Sequence, residues 1–229
     1  MIEFIVYLVL WLLYIFAEHR KKSMASHFSR AEPQEEEKSF FAALLQRESC
    51  FPIENKILHE GLTWENYVYI VNRGVYQFVE SESLGSDSGF LMLSILQRYL
   101  AKNEIAVEDF LVCVEAAIII AAKVLEVSPY YEIPEKLQEK EMEILLALEF
   151  DVKTPTISDF MTMLLRFISD ECKPRFYVLC AYCALMTDIV ENHPPSRVVC
   201  ACFCLAGGDW SATVVDFTGL ERVEGLEGE

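Results

Sequence analysis

The 229-residue chain is predicted to be all-α, on three observations. From Ser39 onward, apolar residues recur at helical spacing in nearly every segment. One segment, Val107–Val127, is so apolar in its centre (Ala116-Ala-Ile-Ile-Ile-Ala-Ala122) that it reads as a helix covered on all sides. No stretch alternates apolar and polar residues between turn residues, which is the mark of a strand. With 53% apolar and 12% aromatic residues, the chain has material for a large core or two small ones, which excludes intrinsic disorder.

In order, Phe40, Phe41, Leu44 and Leu45 mark a short amphipathic helix that stops before Pro52. Thr63 is placed to cap a second helix, with Tyr67, Ile70, Val71, Val75, Phe78 and Val79 along its buried side. After the turn Leu84-Gly-Ser-Asp-Ser-Gly come a helix over Phe90–Leu100 and the core helix Val107–Val127. Membrane insertion of that core helix is opposed by Glu115, Lys123 and Glu126. Ile133–Phe150 follows, with Leu137, Met142, Leu145 and Leu148 expected on one stripe, until Lys153-Thr-Pro-Thr breaks it. Thr156-Ile-Ser-Asp159 has the form of a capping box opening a helix over Ile157–Ile168. Arg175–Glu191, Ser196–Ala206 and Ser211–Thr218 complete the helices.

The ends differ in character. Phe4 to Ala17 is an unbroken apolar run followed by Glu-His-Arg-Lys-Lys. It is short of the ~20 residues of a spanning helix, and its basic flank suits a signal anchor. The alternative is that translation starts at Met24, and residues 1–23 are therefore set apart from the fold. Residues 24–38, with Pro33 and Glu35-Glu36-Glu37, read as a flexible acidic lead, and 221–229 as an acidic tail.

A formal charge of −17, from 36 acidic and 19 basic residues, opposes a nucleic-acid surface and favours a protein partner with a basic face. No Gly-rich loop suggests a nucleotide cradle, and no nucleophile–base set stands out, so neither an enzyme nor a cofactor is expected. The eight cysteines lie mostly in apolar helical runs and read as reduced core thiols of a cytosolic or nuclear protein. A zinc site from Cys180 and Cys183 with Cys200 and Cys202 is disfavoured, because residues i and i+2 on a helix point apart. Leu111-Val-Cys-Val-Glu115 spells a pocket-protein docking motif, but inside a core helix it cannot bind as a strand.

Three blocks in the middle of the chain resemble the cyclins. Ala121-Ala-Lys-Val-Leu-Glu-Val-Ser-Pro129 resembles that family's Ala-Ser-Lys-aromatic-Glu-Glu-x-x-Pro. Glu141-Met-Glu-Ile-Leu-Leu-Ala-Leu-Glu-Phe-Asp-Val-Lys-Thr-Pro-Thr156 resembles its Glu-x-x-Ile-Leu-x-x-Leu-x-Phe-Asp-Leu-x-x-Pro-Thr, and Leu96-Gln-Arg-Tyr-Leu100 its Leu-Asp-Arg-Phe-Leu. Pro195-Ser-Arg-Val-Val-Cys with Gly208-Asp-Trp210 resembles a second, later copy of the central helix and its following turn. The resemblance, nearest to the mitotic A/B type, implies tandem five-helix bundles: 39–154 as the first, and 155–220 as a second that is truncated.

It also implies a function. A cyclin does no chemistry; it binds a cyclin-dependent Ser/Thr kinase and holds the kinase's mobile helix inward, in cell-cycle control, in nucleus and cytoplasm. Carried over, Lys123 and Glu141 would be polar anchors, Val124, Leu145, Phe150 and Val152 the apolar floor, and Glu126 the rim. Tyr67, Ile70 and Val71 stand where mitotic members dock substrate peptides. The chain departs from those members at Gln97 and Val68, where they pair a buried Asp with an Arg, and at Leu125, where they carry an acid. The other reading is a non-activating cyclin-fold adaptor, membrane-tethered if residues 1–17 are genuine.

Overall fold

The computed structural model describes residues 35–51, 56–58, 61–79, 86–126 and 133–220, the side chains of 72, 75–79 and 86 excepted. Residues 1–34 and 221–229, with the apolar run, most of the acidic lead and the tail, lie outside them, as do the side chains of Val75, Phe78 and Val79. In chain order the helices are α1 (Glu35–Glu48), α2 (Trp64–Val79), α3 (Ser86–Leu100), α4 (Val107–Val124) and α5 (Glu135–Ala147). Then come α6 (Ile157–Leu164) with a 3₁₀ turn (Leu165–Phe167), α7 (Lys173–Leu185), α8 (Thr187–Asn192), α9 (Pro195–Leu205) and α10 (Ala212–Thr218). No strand occurs among the described residues, so the all-α class holds.

The chain divides into two compact units, one of residues 53–154. Here α4 is the axis, packed by α2, α3 and α5, and every residue from Ala116 to Ala122 is buried. An all-round apolar helix has no other favourable place in water. Gly74 lets α2 come close: a Cβ there would meet Val114 Cγ1 at 2.5 Å. Thr63 caps α2, accepting from the Asn66 N–H at 3.3 Å. Tyr67 stacks on Phe110 with ring centroids 5.8 Å apart, and its hydroxyl accepts from Gln97 Nε2 at 3.2 Å. The bond is neutral and avoids an ion in the core.

α3 also secures the far end of α5. Arg98 Nη1 donates to the Asp151 carbonyl at 2.9 Å and Lys102 Nζ to the Ala147 carbonyl at 3.3 Å. Cations at a helix C-terminus meet its partial negative charge and its orphan carbonyls. The Tyr99 hydroxyl donates to Glu143 beside them.

The other unit joins residues from 155 onward with those up to 52. Thr156 and Asp159 form the expected capping box, each side chain bonding the other's backbone N–H. α9 buries Val198, Val199, Cys200, Cys202 and Phe203 against α6, α7 and α8. Gly207, at φ +97°, ends α9, and Trp210 returns onto Phe203 edge-on at 5.9 Å. Met186, with ψ 101°, divides into α7 and α8 what was expected as one helix over Arg175–Glu191.

α1 corrects the expected grouping, which counted 39–51 with the residues up to 154. Phe41 is fully buried between Phe160 and Phe217, 5.4 Å from each ring. Glu37 pairs with Arg166, and Lys38 Nζ reaches Asp216 at 2.7 Å. Glu48 accepts from the Ser196 N–H at 2.7 Å and its hydroxyl at 2.6 Å, filling orphan donors at the start of α9. The helix also begins at Glu35, because three glutamates in a first turn suit the helix dipole, so part of the expected lead is ordered.

Candidate functional site

Lys123 is in the last turn of α4, and Glu141 is in the middle of α5. Lys123 Nζ donates to both carboxylate oxygens, at 2.6 and 2.7 Å. The two side chains are 48% and 11% exposed respectively, so the ammonium is open to water while the carboxylate is set into the protein. The ammonium has three donors and the carboxylate about four lone-pair positions, so the pair retains capacity for a further partner. A half-exposed ion pair is worth only about 0–1 kcal/mol, which makes its rearrangement cheap.

The buried face of α5 is Leu137, Glu141, Ile144 and Leu148. This corrects the expected stripe: Met142 is 49% exposed and Leu145 is half-buried. Glu141 hides the pattern, since a carboxylate is not expected on an inward face unless something neutralises it. With the inward face so placed, Met142 and Leu146 turn outward at i, i+4, and Leu146 is 60% exposed. Neither was foreseen as a site residue, although shifting the stripe by one position places both outside.

α5 ends in a Schellman motif. The Glu149 N–H donates to the Leu146 carbonyl at 3.1 Å and the Phe150 N–H to the Leu145 carbonyl at 2.8 Å. The motif needs a left-handed residue, usually glycine; here Glu149 (φ 55°) and Phe150 (φ 60°) are both left-handed. Glu126, just past α4, has φ 59°, and among the described residues no other non-glycine has positive φ. Such conformations cost of order 1–3 kcal/mol each and cluster where function requires them. The Phe150 ring is 58% exposed.

Of the expected site residues, Val124 and Leu145 are half-buried, Phe150 and Glu126 are exposed, and Val152 is buried. The expected substrate-docking residues do not form a surface. Tyr67 and Val71 are buried, and burial pushes the Tyr67 phenol above its ordinary range. Ile70 is half-buried, and Tyr69, between Val68 and Ile70, is the exposed residue of that stretch.

Cys200 and Cys202 do diverge: Cys202 meets Cys183, while Cys200 lies near Cys204 and Glu48. No group of three or more metal-ligating side chains could hold an ion among the described residues. No described helix is long and apolar enough to cross a membrane, and residues 1–17 are outside that statement.

No protein-family model matches the chain, and no curated protein matches it. Among solved structures it is similar to the X-ray structure of a viral cyclin from herpesvirus saimiri, at 20% identity and a TM-score of 0.61. The likeness covers 79% of this chain and 89% of the viral one. With a buried central helix, its neighbours in place and no strand among the described residues, the chain has a cyclin-like fold.

Proposed function

We propose that the chain is a regulatory subunit that binds and activates a cyclin-dependent Ser/Thr kinase in cell-cycle control, nearest the mitotic A/B type and acting in nucleus and cytoplasm. The observation that carries the reading is the Lys123–Glu141 pair, together with the expected floor residues Val124, Leu145 and Phe150 reaching solvent. Solvent-reaching apolar side chains combined with hydrogen-bonding polar groups are the composition of a protein-binding hot spot. The kinase helix would lie over Val124, Leu145 and Phe150, with Val152 beneath them, Lys123 donating to its carbonyls and Glu141 accepting from its N–H groups.

Activation is then a population shift. The surface favours the kinase conformation in which the Lys–Glu pair and activation segment of the kinase are competent, and the chain supplies no catalytic group. Moving that equilibrium from 1:99 to 99:1 takes a preference of about 10⁴ for the active form. An interface with a truncated-anchor cost of ~2 kcal/mol or more per hot spot can supply it.

The test is reconstitution with a cyclin-dependent kinase, following phosphate transfer to a peptide. The wild-type chain should raise the rate at least a hundredfold, and Lys123→Ala/Glu141→Ala should remove most of the rise. Binding without stimulation would instead support the adaptor reading.

A further inference from the structure

α7 and α9 bring three thiols together in the unit formed by residues 155–220 and α1. The Cys202 thiol donates to Cys183 Sγ at 3.7 Å. Cys180, one turn before Cys183 on α7, hydrogen-bonds Cys202 as well. Cys183 is half-buried, whereas Cys202 and Cys180 are closed to solvent. The Cys183 thiol is pushed up by Cys202 and by burial, and the Cys202 thiol by Cys180 and by burial, so both stand protonated at neutral pH. They are therefore slow nucleophiles, but two sulfurs already in contact need little movement to close to the ~2.05 Å of a disulfide.

We propose that Cys183 and Cys202 are a modification site, a dithiol that excess peroxide converts to a disulfide pinning α7 to α9. Cys183 is the sulfur a small oxidant can reach. It attacks one peroxide oxygen, releasing water and becoming a sulfenic acid. The Cys202 sulfur then attacks the Cys183 sulfur, the S–O bond breaks and a second water leaves. The two sulfurs lose two electrons in total, and one hydrogen peroxide is reduced to two waters. Cys202 cannot start the reaction because it is covered; it resolves it. The product constrains the unfolded chain and should unfold at higher urea than the reduced protein.

The experiment treats the folded full chain with excess hydrogen peroxide, blocks remaining thiols, digests without reduction and maps the linked peptides. A Cys183–Cys202 link that dithiothreitol removes is expected. In Cys202→Ser, Cys183 should instead be captured by dimedone, and Cys183→Ser should abolish both the link and any Cys202 adduct. The proposal is overturned if Cys183 stays unlinked while exposed Cys50 and Cys204 oxidise, or if the link is Cys180–Cys202. Oxidation of Cys202 in Cys183→Ser would overturn it too. If either serine variant fails to fold, the wild-type map alone decides.

Discussion

Lys123 and Glu141 hold each other through two hydrogen bonds, yet they are unequally buried, at 48% and 11% exposed. The inequality makes their removals unequal. Lys123→Ala leaves a carboxylate set into the protein without its cation, which costs about 1–3 kcal/mol. Glu141→Ala leaves an ammonium that water can solvate, and should cost less than about 1 kcal/mol beyond its lost packing. Urea unfolding of both variants measures the difference, and equal losses would show that the pair is not asymmetric in this way.

The end of α5 carries conformational strain that glycine relieves. Glu149→Gly places the residue the Schellman motif prefers at φ 55°. The left-handed cost of ~1–2 kcal/mol is partly offset by glycine's greater freedom in the unfolded chain, leaving a gain of about 0.5–1 kcal/mol. Chemical denaturation should show a higher midpoint with an unchanged slope.

Gly74 permits the close approach of α2 to α4. Gly74→Ala drives a methyl against Val114 Cγ1, and should cost about 1–3 kcal/mol. Adding Val114→Ala opens the space, so the double variant should lose less than the sum of the single losses. Strict additivity would contradict the contact.

Glu48 links α1 to α9, and burial holds its carboxyl above the ordinary 4.5 despite the two bonds from Ser196 and the nearby Arg197. A carboxyl raised in the folded state binds its proton more tightly there than when unfolded. Stability from this group is therefore greatest at low pH and falls as pH rises from about 4.5 through the folded value. Glu48→Gln keeps an acceptor for Ser196 without the charge. Measured from pH 4 to 7, wild-type stability relative to that variant should decline with rising pH, and a rise would reverse the sign.

Much of this fold is legible from residue patterns because single segments carry strong local signals. The all-round apolar Ala116–Ala122 demands burial, and Thr156 with Asp159 marks a helix start without help from distant residues. The resemblance names Lys123 and Glu141 as separate anchors, and their bond to each other is absent from the sequence because no local rule joins residues on separate helices. What stayed hidden depends on tertiary contacts. Phe41 signals an amphipathic helix but not that Phe160 and Phe217 will enclose it. Tyr67 and Val71 share one face at i, i+4, which suits a core as well as a docking groove, and the core took them. The left-handed Glu149 and Phe150 carry no glycine to announce them, so the outward turn of the phenylalanine ring had no sign in composition.

The central claim is that the Phe150 ring, exposed at the end of α5, is an anchor for a kinase. The direct measurement is the dissociation constant of a cyclin-dependent kinase for the wild-type chain and for Phe150→Ala by calorimetry. Loss of a hot-spot aromatic worth about 2 kcal/mol predicts roughly thirtyfold weaker binding, with the melting temperature nearly unchanged because the ring is exposed. Equal affinity for the two chains would contradict the account.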